Sequence, residues 1–145
     1  MEHFSLRLES TAQQLDVALG WLNSLYRDEI PYQTWLEFQT AFGEAFDNAV
    51  RHAHRSLPMS TPVDLEVVIA EGTIVLKVWD LGPGFDFEAV LANLPEHQEA
   101  LAESGRGFCI LRRVADHLSY CCEPNRGNCL MIMKRYDRME ASAQA

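Results

Sequence analysis

The sequence predicts a two-layer α/β sandwich, a mixed and mainly antiparallel sheet covered by helices. Three observations carry that prediction. Period-two alternation of apolar residues marks strands near both ends and in the middle of the chain. A 3.6-residue apolar period marks two helices between the first strand and the second. The order is strand, two helices, hairpin, long connection, helix, hairpin, which closes around one core. At 145 residues with 48% hydrophobic and 10% aromatic side chains, the chain holds enough apolar material for a single domain. It shows neither an internal repeat nor an interdomain linker.

Each element follows from its residues. Phe4, Leu6 and Leu8 alternate with polar neighbours and predict a first strand ending at Ser10-Thr11, where either hydroxyl is placed to cap a helix. From Ala12 to about Asp28, Leu15, Val17, Ala18, Trp21, Leu22 and Leu25 recur at threes and fours, giving an amphipathic helix that Pro31 separates from the next. The second helix is predicted over about Tyr32 to Arg55. Trp35, Phe38, Phe42, Ala45, Ala49 and Ala53 form its apolar stripe, and Glu44, Asn48 and His52 line up along one edge of that stripe. Val63 to Ile69 and Thr73 to Trp79 read as two strands joined by a tight turn at Glu71-Gly72, with Asp80 at the end of the second. Between Asp86 and Glu103, Phe87 to Leu91 make a helical turn, and the rest reads as a mobile lid between two glycine-containing motifs. Gly107 to His117 is predicted helical. Leu118 to Cys122 and Cys129 to Tyr136 form the last hairpin, and Met139 to Ala145 form a frayed tail.

Composition excludes several classes of function. The formal net charge of −9 opposes direct binding to nucleic acid, because a duplex would repel the chain. No apolar run approaches the roughly 20 residues that cross a bilayer, and the N-terminus has no signal-peptide pattern, so a cytoplasmic location is expected. Cys109, Cys121, Cys122 and Cys129 lack paired metal-site spacing and read as reduced packing residues.

Three short blocks carry the chemistry, and together they describe an ATP site. In Glu44-Ala45-Phe46-Asp47-Asn48-Ala49-Val50-Arg51-His52-Ala53, a carboxylate and a carboxamide stand one helical turn apart. Glu44 can accept the proton of an attacking hydroxyl. Asn48 offers a neutral oxygen suited to one position of a magnesium ion that phosphates and water otherwise surround. In Asp80-Leu81-Gly82-Pro83-Gly84-Phe85, the carboxylate can accept from the exocyclic amine that adenine carries, and the glycines let the backbone come close to a ring. In Ser104-Gly105-Arg106-Gly107-Phe108, a glycine pair opens a helix whose free amides suit an anion.

Glu-x-x-x-Asn, Asp-x-Gly-x-Gly-Phe and Gly-x-Gly-Phe in this order resemble the N box and the two glycine boxes of the GHKL ATPase/kinase superfamily, with its Bergerat nucleotide fold. The resemblance implies a single histidine-kinase-like ATPase domain over 1–145, with its core at about 5–136. The small size and the glutamate in the N box are similar to the anti-sigma-factor serine/threonine kinases of bacterial partner-switching systems. The resemblance implies that Glu44 is the catalytic base, Asn48 the magnesium ligand and Asp80 the adenine contact. Gly82, Gly84, Gly105 and Gly107 then shape the pocket and lid hinges, Phe85 and Phe108 belong to the nucleotide-binding set, and Arg51, His52 and Arg106 lie near phosphate. The implied cofactors are ATP and Mg2+. The implied partners are a STAS-domain anti-anti-sigma protein as substrate, a sequestered sigma factor and a second copy of the chain. From Phe87 to Glu103 no lysine or arginine occurs, although family members often carry a basic residue there. That departure keeps one alternative in view, a nucleotide-gated binding module with weak catalysis; a third reading is an orphan histidine-kinase catalytic domain.

Overall fold

The computed structural model describes residues 1–94 and 103–138. Five strands lie in one sheet: β1 (Glu2–Glu9), β2 (Pro62–Ala70), β3 (Thr73–Asp80), β4 (His117–Glu123) and β5 (Gly127–Arg135). Their spatial order is β1-β2-β3-β5-β4. The helices are α1 (Gln14–Asn23), α2 (Tyr32–Asp47), α3 (Phe87–Ala92) and α4 (Glu103–Val114), and a π-turn over Asn48–Ala53 continues α2.

The sandwich is the one the sequence predicts, and the sheet is more uniform than a mixed one. Every strand pairing among the described residues is antiparallel. The physical reason is where β5 lands. The connection after β3 brings the chain back so that β4 runs in the same direction as β3, and β5 then folds into the space between them. A pairing that would have been parallel is thereby replaced by two antiparallel ones.

One face of the sheet meets the helices and the other is open. Along β2, Val63, Leu65, Val67 and Ile69 point into the core, alternating with partly exposed residues. They meet Trp35, Phe38, Phe42, Ala45 and Phe46 of α2 and Ala18 and Leu22 of α1 in one cluster. Burying each α2 phenylalanine contributes about 2–3 kcal/mol. On the open face, Arg126 from the β4–β5 turn pairs with Glu66 and lies 3.8 Å above the Trp79 ring. Its guanidinium shields an indole that is only 4% exposed.

Several boundaries differ from the sequence reading. The first helix is shorter than 12–28, because turn bonds from Gln14 N to Thr11 O (3.1 Å) and Leu25 N to Leu22 O (2.9 Å) close its two ends. Ser10 does not cap it: Ser10 is buried and its hydroxyl bonds His54 instead. The helix after the lid begins at Glu103 and ends at Val114, and His117 already belongs to β4. All four cysteines are free, but only Cys109 and Cys129 are packing residues, since Cys121 and Cys122 are exposed. Most of the expected lid (residues 95–102) and the expected tail (residues 139–145) lie outside the described residues.

Candidate functional site

The site begins with the way α2 ends. Its apolar stripe holds it on the sheet as far as Ala49, and from Asn48 the backbone widens, with His54 N donating to Ala49 O at 2.9 Å across five residues. Such a turn changes the rotation per residue, so the last six residues do not continue the 3.6-residue row that the sequence suggests. Glu44, Asn48 and His52 nevertheless line one cleft. Arg51 is turned out of it, exposed and paired with Asp47 at 2.8 Å.

The cleft has a narrow polar end and a wide apolar end. The narrow end holds about 30 Å³ between Glu44, Asp47, Asn48, His52, Gly107, Phe108 and Leu111. Here α4 lies so close to α2 that a Cβ on Gly107 would stand 2.9 Å from Glu44 Oε2. Burial raises the pKa of Glu44 above the ordinary carboxylate range, and the neighbouring Asp47 charge adds to the rise. A carboxylate made more basic in this way suits proton acceptance.

The wide end holds about 340 Å³, within the usual range of small-molecule sites. Asn48, His52 and Phe108 line both, so the two spaces adjoin at these three residues. Ala53, Pro83, Gly84, Phe85, Val90, Leu94 and Tyr120 complete its wall. Phe85 stands 4.6 Å from Tyr120 and 5.6 Å from Phe108 between ring centroids, giving an aromatic surface fit for a flat heterocycle. Burial pushes the Tyr120 phenol upward and keeps it protonated.

Asp80 lies beneath this wall rather than in it. It is 4% exposed at the end of β3, and its Oδ1 accepts from Gly82 N and from Asn128 Nδ2, each at 2.9 Å. Asn128 also donates to Gly82 O at 2.9 Å, so the turn after Asp80 is held from both sides. These bonds use one carboxylate oxygen and leave Oδ2 outside them. Two glycines make the turn possible. A Cβ on Gly82 would stand 2.4 Å from Ala53 O, inside contact distance, and Gly84 has φ +79°, which side chains disfavour.

The structure therefore brings Glu44, Asn48, His52, Gly84, Phe85, Gly107 and Phe108 to one cleft, with Asp80 and Gly82 supporting its wall. Gly105 lies in the first turn of α4, and Arg106 is exposed and does not line the cleft. Sequence reasoning missed Asp47, Tyr120, Asn128 and His54. Tyr120 and Asn128 come from the final hairpin, 40 or more positions from Asp80, and only the β3–β5 register of Asp80 with Asn128 brings them there. Asn48 suits a magnesium ligand in that it is half-buried, lines both spaces and offers a neutral oxygen.

Comparison with known proteins points to the same fold. The model of the histidine kinase-like ATPase domain matches residues 6–134. The chain is 24% identical over 124 residues to serine-protein kinase RsbW of Staphylococcus epidermidis, covering 81% of this chain and 78% of that protein. It is 22% identical over 129 residues to serine-protein kinase RsbW of Staphylococcus aureus, covering 85% and 81% respectively. No described helix is long and apolar enough to cross a membrane.

Proposed function

The chain belongs to the histidine kinase-like ATPase domain family, and from that premise we propose that it is an ATP-binding anti-sigma factor and serine/threonine protein kinase. Its substrate is a STAS-type anti-anti-sigma protein, and it acts in the cytoplasm as a homodimer. The observation that carries the reading is the adjacency of the two spaces. Glu44 and Asn48 line a narrow polar space that shares Asn48, His52 and Phe108 with a wide aromatic one, whose wall rests on Asp80.

Each residue then has a task. Adenine packs on the aromatic surface of Phe85, Phe108 and Tyr120, and its amine donates to the Asp80 carboxylate. Gly82 and Gly84 allow that approach. Asn48 holds one position of the magnesium ion, which when bound offsets the negative charge on the phosphates. His52 is the basic group beside the phosphates, and Gly107 lets α4 lie close over them. Glu44 takes the proton from the partner's hydroxyl as its oxygen bonds to the terminal phosphorus, and ADP leaves with the electrons of the broken phosphoanhydride bond. Adding a dianionic phosphate to the partner then weakens its complex with the kinase.

The test is transfer of label from radioactive ATP to a STAS partner. Wild type should label a serine or threonine, and Glu44→Ala should not. Undiminished transfer by Glu44→Ala, or none by wild type, removes the kinase. A second reading is favoured by one observation: among the described residues, His52 is the sole basic side chain lining the cleft. In that reading the chain is a nucleotide-gated module that sequesters its partner without useful transfer. Calorimetry separates the two, because the module's partner affinity would depend on ATP and be unchanged in Glu44→Ala.

A further inference from the structure

His54 takes no part in the chemistry above, yet it is 3% exposed and stands where three segments meet. It follows the π-turn directly. The backbone N–H of Leu81 donates to its Nε2 at 2.8 Å, and Ser10 Oγ, just past β1, lies 2.9 Å from its Nδ1. A backbone amide can only donate, so Nε2 carries no proton in this arrangement. The proton of the neutral ring is then on Nδ1 and is donated to the serine oxygen. Ser10 is itself anchored, since its backbone N–H donates to Met59 O at 2.9 Å.

The second observation is steric and independent of the histidine ring. Gly82 packs against the Ala53 carbonyl so closely that a Cβ would stand 2.4 Å from its oxygen. Residues 81 and 82 are thus seated on residues 53 and 54. Immediately before that contact lies Asp80, and immediately after it lie Pro83, Gly84 and Phe85 of the cavity wall. The segment bearing Asn48 and the segment bearing Asp80 share no covalent proximity. Ala53 and His54 provide their point of attachment.

We infer that His54 is a positioning residue for nucleotide recognition, holding the Asp80–Phe85 loop in register with the Asn48 segment through an Nδ1–H tautomer that the Leu81 N–H sets and the Ser10 hydroxyl accommodates. The inference rests on the nucleotide-binding reading above. An Nε2–H would face the Leu81 N–H donor to donor and release the loop. Burial favours the required neutral ring by lowering the His54 pKa, against a smaller opposing pull from Asp80.

The test compares three variants by MgATP titration alongside thermal unfolding. His54→Leu keeps apolar bulk and removes the acceptor, and it should weaken MgATP binding about tenfold. His54→Gln retains a side-chain oxygen for Leu81 and should stay within about threefold of wild type, with Ser10→Ala between the two. Equal loss of affinity in His54→Leu and His54→Gln, or wild-type affinity in folded His54→Leu, overturns the inference. Nitrogen NMR of the wild-type imidazole supplies a measurement that needs no variant to fold. It should show an unprotonated Nε2 at neutral pH, and a protonated Nε2 overturns the inference. If wild type itself binds no MgATP, the proposed function falls first; if wild type binds and His54→Leu binds equally, this inference falls alone.

Discussion

The two ends of the cleft are built in opposite ways. The narrow end is helix against helix: Glu44 and Asn48 come from one continuous segment, Gly107 and Phe108 from a second, and the space between them is about 30 Å³. The wide end is assembled from a turn, a short helix and the last hairpin around about 340 Å³. Groups that must meet a reacting atom gain from the first arrangement, because helix backbone fixes their spacing. A pocket that must admit a flat ring gains from the second, whose walls are aromatic side chains on separate elements. The contrast assigns chemistry to one end and affinity to the other, and substitutions can test that division.

The largest expected effect is at the narrow end. Glu44→Gln keeps size and removes the base, so phosphoryl transfer should fall about a hundredfold or more while MgATP affinity stays near wild type. Loss of affinity by a similar factor in a nucleotide titration would break the division of labour. Next is the wide end. Asp80→Asn should weaken ATP binding by about ten- to a hundredfold and reduce preference for ATP over GTP, because a charged acceptor is replaced by a mixed donor and acceptor. Competition titrations with both nucleotides measure it, and an unaltered preference would remove Asp80 from recognition.

A smaller effect is expected behind the wall of the wide end. Gly82→Ala forces a methyl group to within 2.4 Å of Ala53 O unless the turn shifts, and it should cost about 1–3 kcal/mol in urea unfolding, with weaker ATP binding. The smallest is a pH displacement. Glu44 must be ionised to accept a proton, and burial with the Asp47 charge raises its pKa above the ordinary value of 4.5. The rise of kcat/KM with pH should therefore centre above 4.5, and Asp47→Asn should move it downward by removing a like charge. An unmoved limb in Asp47→Asn would assign the shift to burial alone.

Legibility differed between the ends for a related reason. Glu44, Asn48 and His52 stood out in the sequence because helical spacing is local, and four residues suffice to place two side chains on one edge. The same reasoning ran the helix through to Arg55 as a single α-helix. It missed the π-turn, since nothing in Asn48-Ala49-Val50-Arg51-His52-Ala53 announces a wider backbone. The turn is stabilised by contacts beyond itself, among them the seating of Gly82 and Leu81 on its end. Tyr120 and Asn128 were read only as parts of a hairpin, because a polar residue in a strand carries no local sign of which distant carboxylate it faces. Ser10 and Thr11 both stand where a helix cap is expected, and the fold gives the Ser10 hydroxyl to His54 instead.

By itself the sequence determined the α/β sandwich, the strands and helices to within a few residues, and the three blocks that bear the cleft's polar groups. All of these rest on periodicity and short spacing, where backbone geometry makes near neighbours predictable. Tertiary structure alone decided that β5 inserts between β3 and β4, that α2 ends in a π-turn, and that His54 and Asn128 brace the turn after Asp80. Those choices depend on which distant surfaces bury best against one another, a competition over the whole core that no single stretch of chain encodes.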